Sequence, residues 1–271
     1  MNKLIFVGGG NMASAIVGGL LRAGTPVSAI TIVEPWAEQR ARLAAAFPGV
    51  AVHAAADEAL PSAHIVVWAV KPQQFAEAAA PCKLFVSSAL QLSIMAGVTC
   101  ASLAAATGAA AIVRAMPNTP ALIGQGIAGL FATAAVSAAQ RDAVEHVLAP
   151  TGSLLWVAQE ADLDAVTALS GSGPAYVFYF LEAMVEAGVQ MGLPLAQARR
   201  FAQETFAGAA QLAIRSDEPL ATLRERVTSK GGTTYAAITS LDEAGVKASF
   251  VHALHAARSR AAALGAATPA Q

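Results

Sequence analysis

Charge is scarce in this chain. Of 271 residues only 13% are Asp, Glu, Lys or Arg, 17 basic against 18 acidic, while 55% are hydrophobic. No basic run and no interleaving of basic with aromatic residues occurs, so nucleic acid is not an expected partner. A surface so poor in charge points instead to part of it being buried against another copy of the chain. Cysteine is scarcer still: Cys82 and Cys100 are the only two. They form no disulfide framework and no Cys-x-x-Cys motif, and a reducing cytoplasm is the simplest setting. His252 and His255 lie three apart, but no Asp, Glu or Cys joins them in a metal-ligand pattern, so no metal is expected. Neither Gly-x-Ser-x-Gly nor His-Glu-x-x-His occurs, which excludes the hydrolase and metalloprotease readings. No basic segment leads an apolar one at the N-terminus, so no signal peptide is expected. Leu84–Val113 holds no charge, long enough to suggest a membrane span. Its Ser87, Ser88, Gln91, Ser93, Gly97, Thr99, Ser102, Thr107 and Gly108 argue for a buried strand, a loop and an Ala-rich helix instead.

What the chain does have is concentrated at its start. Leu4–Ala13 reads Leu-Ile-Phe-Val-Gly-Gly-Gly-Asn-Met-Ala. Four apolar residues make a short buried strand. Gly8, Gly10 and Ala13 then occupy the first, third and sixth places of a Gly-x-Gly-x-x-Ala turn, and an Ala-rich helical stretch follows. Gly8 permits the tight turn, Gly10 has no side chain to hold a pyrophosphate off the backbone, and Ala13 lets the helix lie close to the strand. The N–H groups at the helix start, around Asn11 and Met12, then face the phosphates.

The first half alternates β-branched runs with helical stretches. Strands are predicted at Leu4–Val7, Ala29–Val33, Val50–His53, Ile65–Val70, Ala89–Met95, Ala111–Arg114 and Leu154–Val157. Helices are predicted at Asn11–Ala23, Trp36–Phe47, Gln73–Ala80, Ala101–Ala106 and Ser137–Leu148. This order implies a mostly parallel sheet with crossover helices. Segments near Gly124–Phe131 and Leu154–Val157 are candidates for antiparallel additions. After Val157 strand signals nearly vanish, and the rest reads as helices at Asp164–Leu169, Ala175–Met191, Leu195–Arg215, Pro219–Val227, Tyr235–Ala244 and Lys247–Leu264. The expected architecture is an α/β dinucleotide-binding domain over 1–160 and an all-α domain over 161–271, with Thr268–Gln271 a frayed tail.

Five clusters carry polar chemistry. Glu34 ends the second strand about twenty residues past the glycine turn, where a carboxylate bonds a ribose 2′-OH and repels a 2′-phosphate. Arg40 and Arg42 follow and can supply charge for NADP, so the sequence leaves the cofactor choice open. Ala69-Val70-Lys71-Pro72-Gln73 closes the fourth strand with a stiff turn; Lys71 is either a solvated charge or a general acid. Met116-Pro117-Asn118-Thr119-Pro120 closes another; Asn118 can bond the nicotinamide or a neighbouring loop, and either prolyl bond can be cis. Ser170–Tyr176 opens the long helix, with a serine able to cap it. Val227–Thr234, reading Val-Thr-Ser-Lys-Gly-Gly-Thr-Thr, offers the hydroxyls of Ser229, Thr233 and Thr234 and the N–H groups of Gly231 and Gly232. That cluster is a seat for a carboxylate, or else an ordinary helix start capped by Thr233 or Thr234.

Taken together, Gly-Gly-Gly-Asn-Met-Ala at 8–13, Ala-Val-Lys-Pro-Gln at 69–73, Met-Pro-Asn-Thr-Pro at 116–120, Ser-Gly-Ser-Gly-Pro-Ala-Tyr at 170–176 and the stretch from Pro219 to Asp242 resemble the pyrroline-5-carboxylate reductases. The resemblance implies a Rossmann domain, then a helical domain that interlocks with that of a second subunit, with larger rings of dimers known. Each active site would lie between one subunit's cofactor domain and its partner's helices. The implied reaction is reduction of 1-pyrroline-5-carboxylate to L-proline by NADPH or NADH. It places Thr234 by the substrate nitrogen, Ser229 and the 231–234 N–H groups on the carboxylate, and Ala69–Pro72 with Ala96 at the nicotinamide end. Arg226 stands where some members have Asn near the cofactor.

Two rivals are worth keeping. A β-hydroxyacid dehydrogenase would need a lysine on the long interdomain helix, and no lysine lies between 84 and 229. A non-catalytic nucleotide sensor would not need the hydroxyl-glycine loop at 227–234.

Overall fold

A computed structural model describes residues 3–56, 60 and 63–266. The tail at Thr268–Gln271 lies outside them. Six parallel strands come first: β1 (Leu4–Val7), β2 (Ile30–Val33), β3 (Ala51–His53), β4 (Ile65–Trp68), β5 (Leu90–Ser93) and β6 (Ile112–Met116). Then follow β7 (Gly126–Ala132) and β8 (Gly152–Trp156). The sheet order is β3-β2-β1-β4-β5-β6-β7-β8. β1 therefore sits between β2 and β4, with Leu4 opposite both Ile30 and Ile65. Chain direction from β1 diverges to either side there, and ligands of such sheets bind beyond the strands' carboxyl ends at that point.

Alternation along the strands builds two cores. Leu4 and Phe6 of β1 and Ile65 and Val67 of β4 face one way; Ile5, Val7, Val66 and Trp68 face the other. Strands buried on both faces read as continuous apolar runs. The first face is covered by α1 (Asn11–Arg22), whose Ala13, Ile16, Val17 and Leu20 repeat at helical spacing, by Leu43 of α2 (Ala37–Ala46) and by α6 (Ala138–Leu148). The second is covered by α3 (Phe75–Ala79), α4 (Lys83–Val86) and α5 (Cys100–Thr107). Trp68 is fully buried, yet its indole N–H reaches Gln91 Oε1 at 2.9 Å, and Gln91 Nε2 donates to the carbonyls of Val86 and Ala89. Buried polar groups cost little when paired in this way. The edge of Phe75 meets Trp68 at 5.2 Å, which anchors the turn after β4.

β7 runs antiparallel to β6, and β8 pairs with β7 in parallel. Both late strands thus oppose the rest of the sheet, but their mutual pairing is parallel because α6 forms a crossover between them. Leu84–Val113 folds as strand, loop and helix, and among the described residues no helix is long and apolar enough to cross a membrane.

The chain divides into two compact units: the described residues through Ser172 with those from Ala257 onward, and Gly173–Ala256. Strand content alone put the boundary at residue 160. The short helix α7 (Asp162–Val166) belongs with the sheet, where a Cβ on Gly129 of β7 would lie 2.8 Å from Val166. The Ser-Gly-Ser-Gly run does not break this helix; it continues as a π-turn over Thr167–Gly171. The Ser170 hydroxyl donates back to the Val166 carbonyl at 3.0 Å, within the π-turn. The second unit contains α8 (Gly173–Gln190), α9 (Leu195–Ile214), α10 (Leu220–Arg226), α11 (Thr233–Glu243) and the first half of α12 (Val246–Ala266). Gly188 lets α8 and α9 touch, since a Cβ there would be 2.9 Å from that of Ala198. Tyr176 and Phe180 set their rings edge-on to Phe250 at 5.6 and 5.5 Å.

Candidate active site

A cleft of about 610 Å³ opens at the carboxyl ends of β1, β2 and β4. Its floor is the glycine turn. Gly8 adopts φ +99°, and its N–H donates to Val33 O at 2.9 Å, tying the turn to β2. A Cβ on Gly8 would come within 2.7 Å of Ala69 O, and one on Gly9 within 2.4 Å of Leu43. At Gly10 a Cβ would meet nothing within 4 Å. Gly10 is also the N-cap of α1, with no side chain capping the helix. The open space and the uncapped N–H groups suit a pyrophosphate on the backbone.

Gly8, Gly10, Asn11, Glu34, Ala69, Val70 and Lys71 all line this cleft. Glu34 is buried, and both its oxygens are engaged: Gly9 N–H donates to Oε2 at 2.9 Å and Trp36 N–H to Oε1 at 3.0 Å. Met12 and Ala13 do not line it. Ala13 is packed in the core and Met12 against it, so any part they play is through backbone N–H. Pro72 starts a 3-10 turn just beyond the lining, and Lys71 before it is exposed. Ala96 lies in the half-buried loop after β5, also outside the lining.

Asn118 is elsewhere too. Its Oδ1 accepts from Ile127 N at 3.0 Å, and its Nδ2 donates to Ser170 O at 3.2 Å. Of the two roles open to it in sequence, the structure has it bonding neighbouring protein. Among the described residues every peptide bond is trans, so neither prolyl bond at 116–120 uses the cis form.

The 227–234 loop forms its own constellation in the second unit. Gly231 adopts φ +77°, and Gly232 N–H closes a turn on Ser229 O at 2.9 Å. A Cβ on Gly232 would lie 2.7 Å from Ser229 Oγ, so only glycine admits the hydroxyl there. α11 starts at Thr233 with Gly232 as N-cap and no capping side chain. Neither threonine caps, because both already lie inside the first turn. Their hydroxyls and the free helix start stay available to an anion. Arg226, nearby in sequence, pairs with Glu218.

A buried polar group lies under β6. Arg114 donates to Glu160 Oε1 at 2.7 Å, and the same oxygen accepts from Cys100 N at 2.7 Å. Burial pushes the Cys100 thiol from 9.0 up to about 12, with Glu160 adding to the rise and Arg114 opposing it. Burial also raises Cys82, at the cleft, to about 11. Neither is a reactive thiolate at neutral pH.

Sequence reasoning missed several lining residues. Ala54–Ala56 follow β3, and the rule that ligands sit beyond strand ends would have found them. Gln39, whose Nε2 donates to Gly9 O at 2.6 Å, and Trp36 also line the cleft. The same rule reaches Trp36, just past β2, whereas Gln39 carries no local signal, because only the packing of α2 brings it there.

Comparison with known proteins matches each half of the chain, the second match beginning at residue 160 rather than at the start of the second compact unit. A sequence model for pyrroline-5-carboxylate reductase dimerisation matches residues 160–264, and one for NADP oxidoreductase, coenzyme F420-dependent, matches residues 3–97. The pyrroline-5-carboxylate reductase of Pseudomonas aeruginosa is 46% identical over 266 residues, 97% of this chain and 96% of that protein. The structure of the Coxiella burnetii enzyme superposes with TM-score 0.88 at 36% identity, covering 97% of this chain and 98% of that one. The Plasmodium falciparum pyrroline carboxylate reductase, solved with NADP bound, superposes with TM-score 0.87 at 29% identity and the same coverage.

Proposed function

The chain belongs to the pyrroline-5-carboxylate reductase family, and from that premise we propose how its residues divide the reaction. The protein reduces 1-pyrroline-5-carboxylate to L-proline with NAD(P)H. It forms a homo-oligomer through its C-terminal helical region.

In our reading the cleft over β1, β2 and β4 holds the dinucleotide: Gly8–Ala13 take the pyrophosphate, Glu34 the adenosine ribose, and Ala69–Pro72 with Ala96 border the nicotinamide. When bound, the reduced nicotinamide supplies the hydride for the imine carbon. The 229–234 loop holds the substrate. Ser229, Thr233 and the N–H groups of Gly231 and Gly232 receive the carboxylate, while the Thr234 hydroxyl faces the ring nitrogen. Thr234 donates a hydrogen bond to a neutral imine or accepts one from an iminium. With the imine, the bond stabilises negative charge developing on nitrogen until a proton arrives; with the iminium, the nitrogen is already protonated and hydride addition leaves a neutral amine. A threonine hydroxyl is a weak acid, so its work is positioning, and solution provides the proton. Asn118 serves the cleft indirectly by fixing the end of β6.

The observation that carries this reading is the start of α11, where two hydroxyls and an uncapped helix end meet a glycine turn. We further propose that the loop of one copy reaches the cleft of another, that the dimers close into a larger ring, and that the protein works in the cytoplasm, where its two buried thiols stay reduced. Oxidation of NADPH and NADH, measured with and without 1-pyrroline-5-carboxylate, tests the assignment. Substrate-dependent oxidation with L-proline as product is expected; nucleotide binding without turnover would leave a sensor in its place.

A further inference from the structure

We infer that the cleft selects NADH over NADPH, and that Glu34 makes the selection; this rests on the reading of the cleft as the dinucleotide site. Glu34 ends β2 and is 8% exposed. The N–H groups of Gly9 and Trp36 grip its two oxygens separately, at 2.9 and 3.0 Å. A side chain held from both sides does not rotate away from an incoming group. Each carboxylate oxygen still has a lone pair beyond the N–H it accepts. A ribose 2′-hydroxyl can donate to that lone pair. A 2′-phosphate offers acceptors and negative charge, and meets only repulsion there.

The cations nearby in sequence do not offset this. Arg42 pairs with Glu38 at 2.6 Å on the surface. Arg40 donates through one terminal nitrogen to the carbonyls of Glu34 at 3.0 Å and Pro35 at 2.6 Å. It thereby braces the Glu34 turn, and neither arginine lines the cleft. Among the described lining residues Lys71 is the one cation, against Glu34 and Glu77. Lys71 follows β4, two strands from β2, about 10 Å away across the sheet. Beside Glu34 the lining is Pro35, Trp36 and Ala54–Ala56: an exposed indole and small apolar groups that suit an adenine face. Among the described lining residues of that corner, Gln39 included, no side chain carries positive charge.

Calorimetric titration of the full-length protein with NADH and with NADPH, without substrate, measures the preference directly. NADH should bind about tenfold tighter or more, as expected for a like charge left uncompensated. Glu34→Gln keeps the side chain's size and one acceptor for the two N–H groups. It should reduce the ratio to about threefold or less, chiefly by tightening NADPH. Pro35→Arg, which leaves Glu34 in place and puts a cation beside it, should likewise reduce the ratio, by tightening NADPH relative to NADH. NADPH bound as tightly as NADH by the unaltered protein, or a ratio unmoved in Glu34→Gln, overturns the inference and leaves the cleft assignment standing. Failure of both nucleotides to bind overturns the cleft assignment and the inference with it.

Discussion

A methyl group on Gly8 would lie 2.7 Å from the carbonyl oxygen of Ala69, with φ at +99°, while one on Gly10 would touch nothing within 4 Å. The two glycines therefore answer to different demands, one from the fold and one from a ligand. Gly8→Ala should lower stability in urea unfolding by about 1–3 kcal/mol. Gly10→Ala should stay within about 1 kcal/mol of the parent yet weaken nucleotide binding; full affinity in that variant would take the phosphates off this turn. Thr234→Ala should slow turnover about tenfold or more, and Thr234→Ser should recover most of it. Unchanged kinetics in the alanine variant would remove the hydroxyl from the reaction. Cys100 bears on stability rather than chemistry. Its folded-state value is raised from 9.0 to about 12, so the unfolded chain loses this proton first as pH rises. The thiol's contribution is intact below about pH 9 and is lost above it. The stability gap between the parent and Cys100→Ala should accordingly narrow on going from about pH 8 to pH 11; a constant gap would contradict the burial argument.

Elements were legible where period and punctuation agree, and less so where long-range bonds set the ends. α1 needed only the apolar spacing of Ala13, Ile16, Val17 and Leu20 after the glycine turn. The start of α11 was less clear, because Thr233 and Thr234 both look like caps and only the turn at Ser229–Gly232 pulls them inside the helix. The parallel pairing of β8 with β7 was hidden for a similar reason: which neighbour each late strand pairs with is set by long-range backbone bonds. Asn118 joins β6, β7 and the π-turn through bonds reaching 9 and 52 residues along the chain. Asn118→Ala should cost about 1–3 kcal/mol, because Ile127 N–H loses its acceptor. Intact stability with weakened nucleotide binding would return Asn118 to the cofactor.

At the scale of the molecule, both apolar cores lie within the sheet-containing unit. Between residues 173 and 256 the buried hydrophobic side chains are those of Ala198 and Ala202. Phe178, Tyr179, Phe201, Leu212 and Ile214 are 58–74% exposed in the single chain. Helices with so little interior cannot repay their ordering entropy alone, and a partner copy supplies the missing burial. The melting temperature should therefore fall on dilution, alongside the sedimentation mass. A monomeric mass with a concentration-independent melting temperature would refute this.

The order of residues was enough to determine the strand–turn–helix at the N-terminus, the alternation that makes a parallel sheet, the change to helices after it, and the hydroxyl-glycine loop. These are local patterns, fixed by side-chain period and by glycine's backbone freedom. Only the tertiary structure decided that Glu34 is clamped by two backbone N–H groups, that Gln39 joins the cleft, that Asn118 ties protein to protein, and that α7 belongs with the sheet. Each of these depends on groups brought together from distant or differently packed segments, and a linear pattern carries no record of which of them will meet.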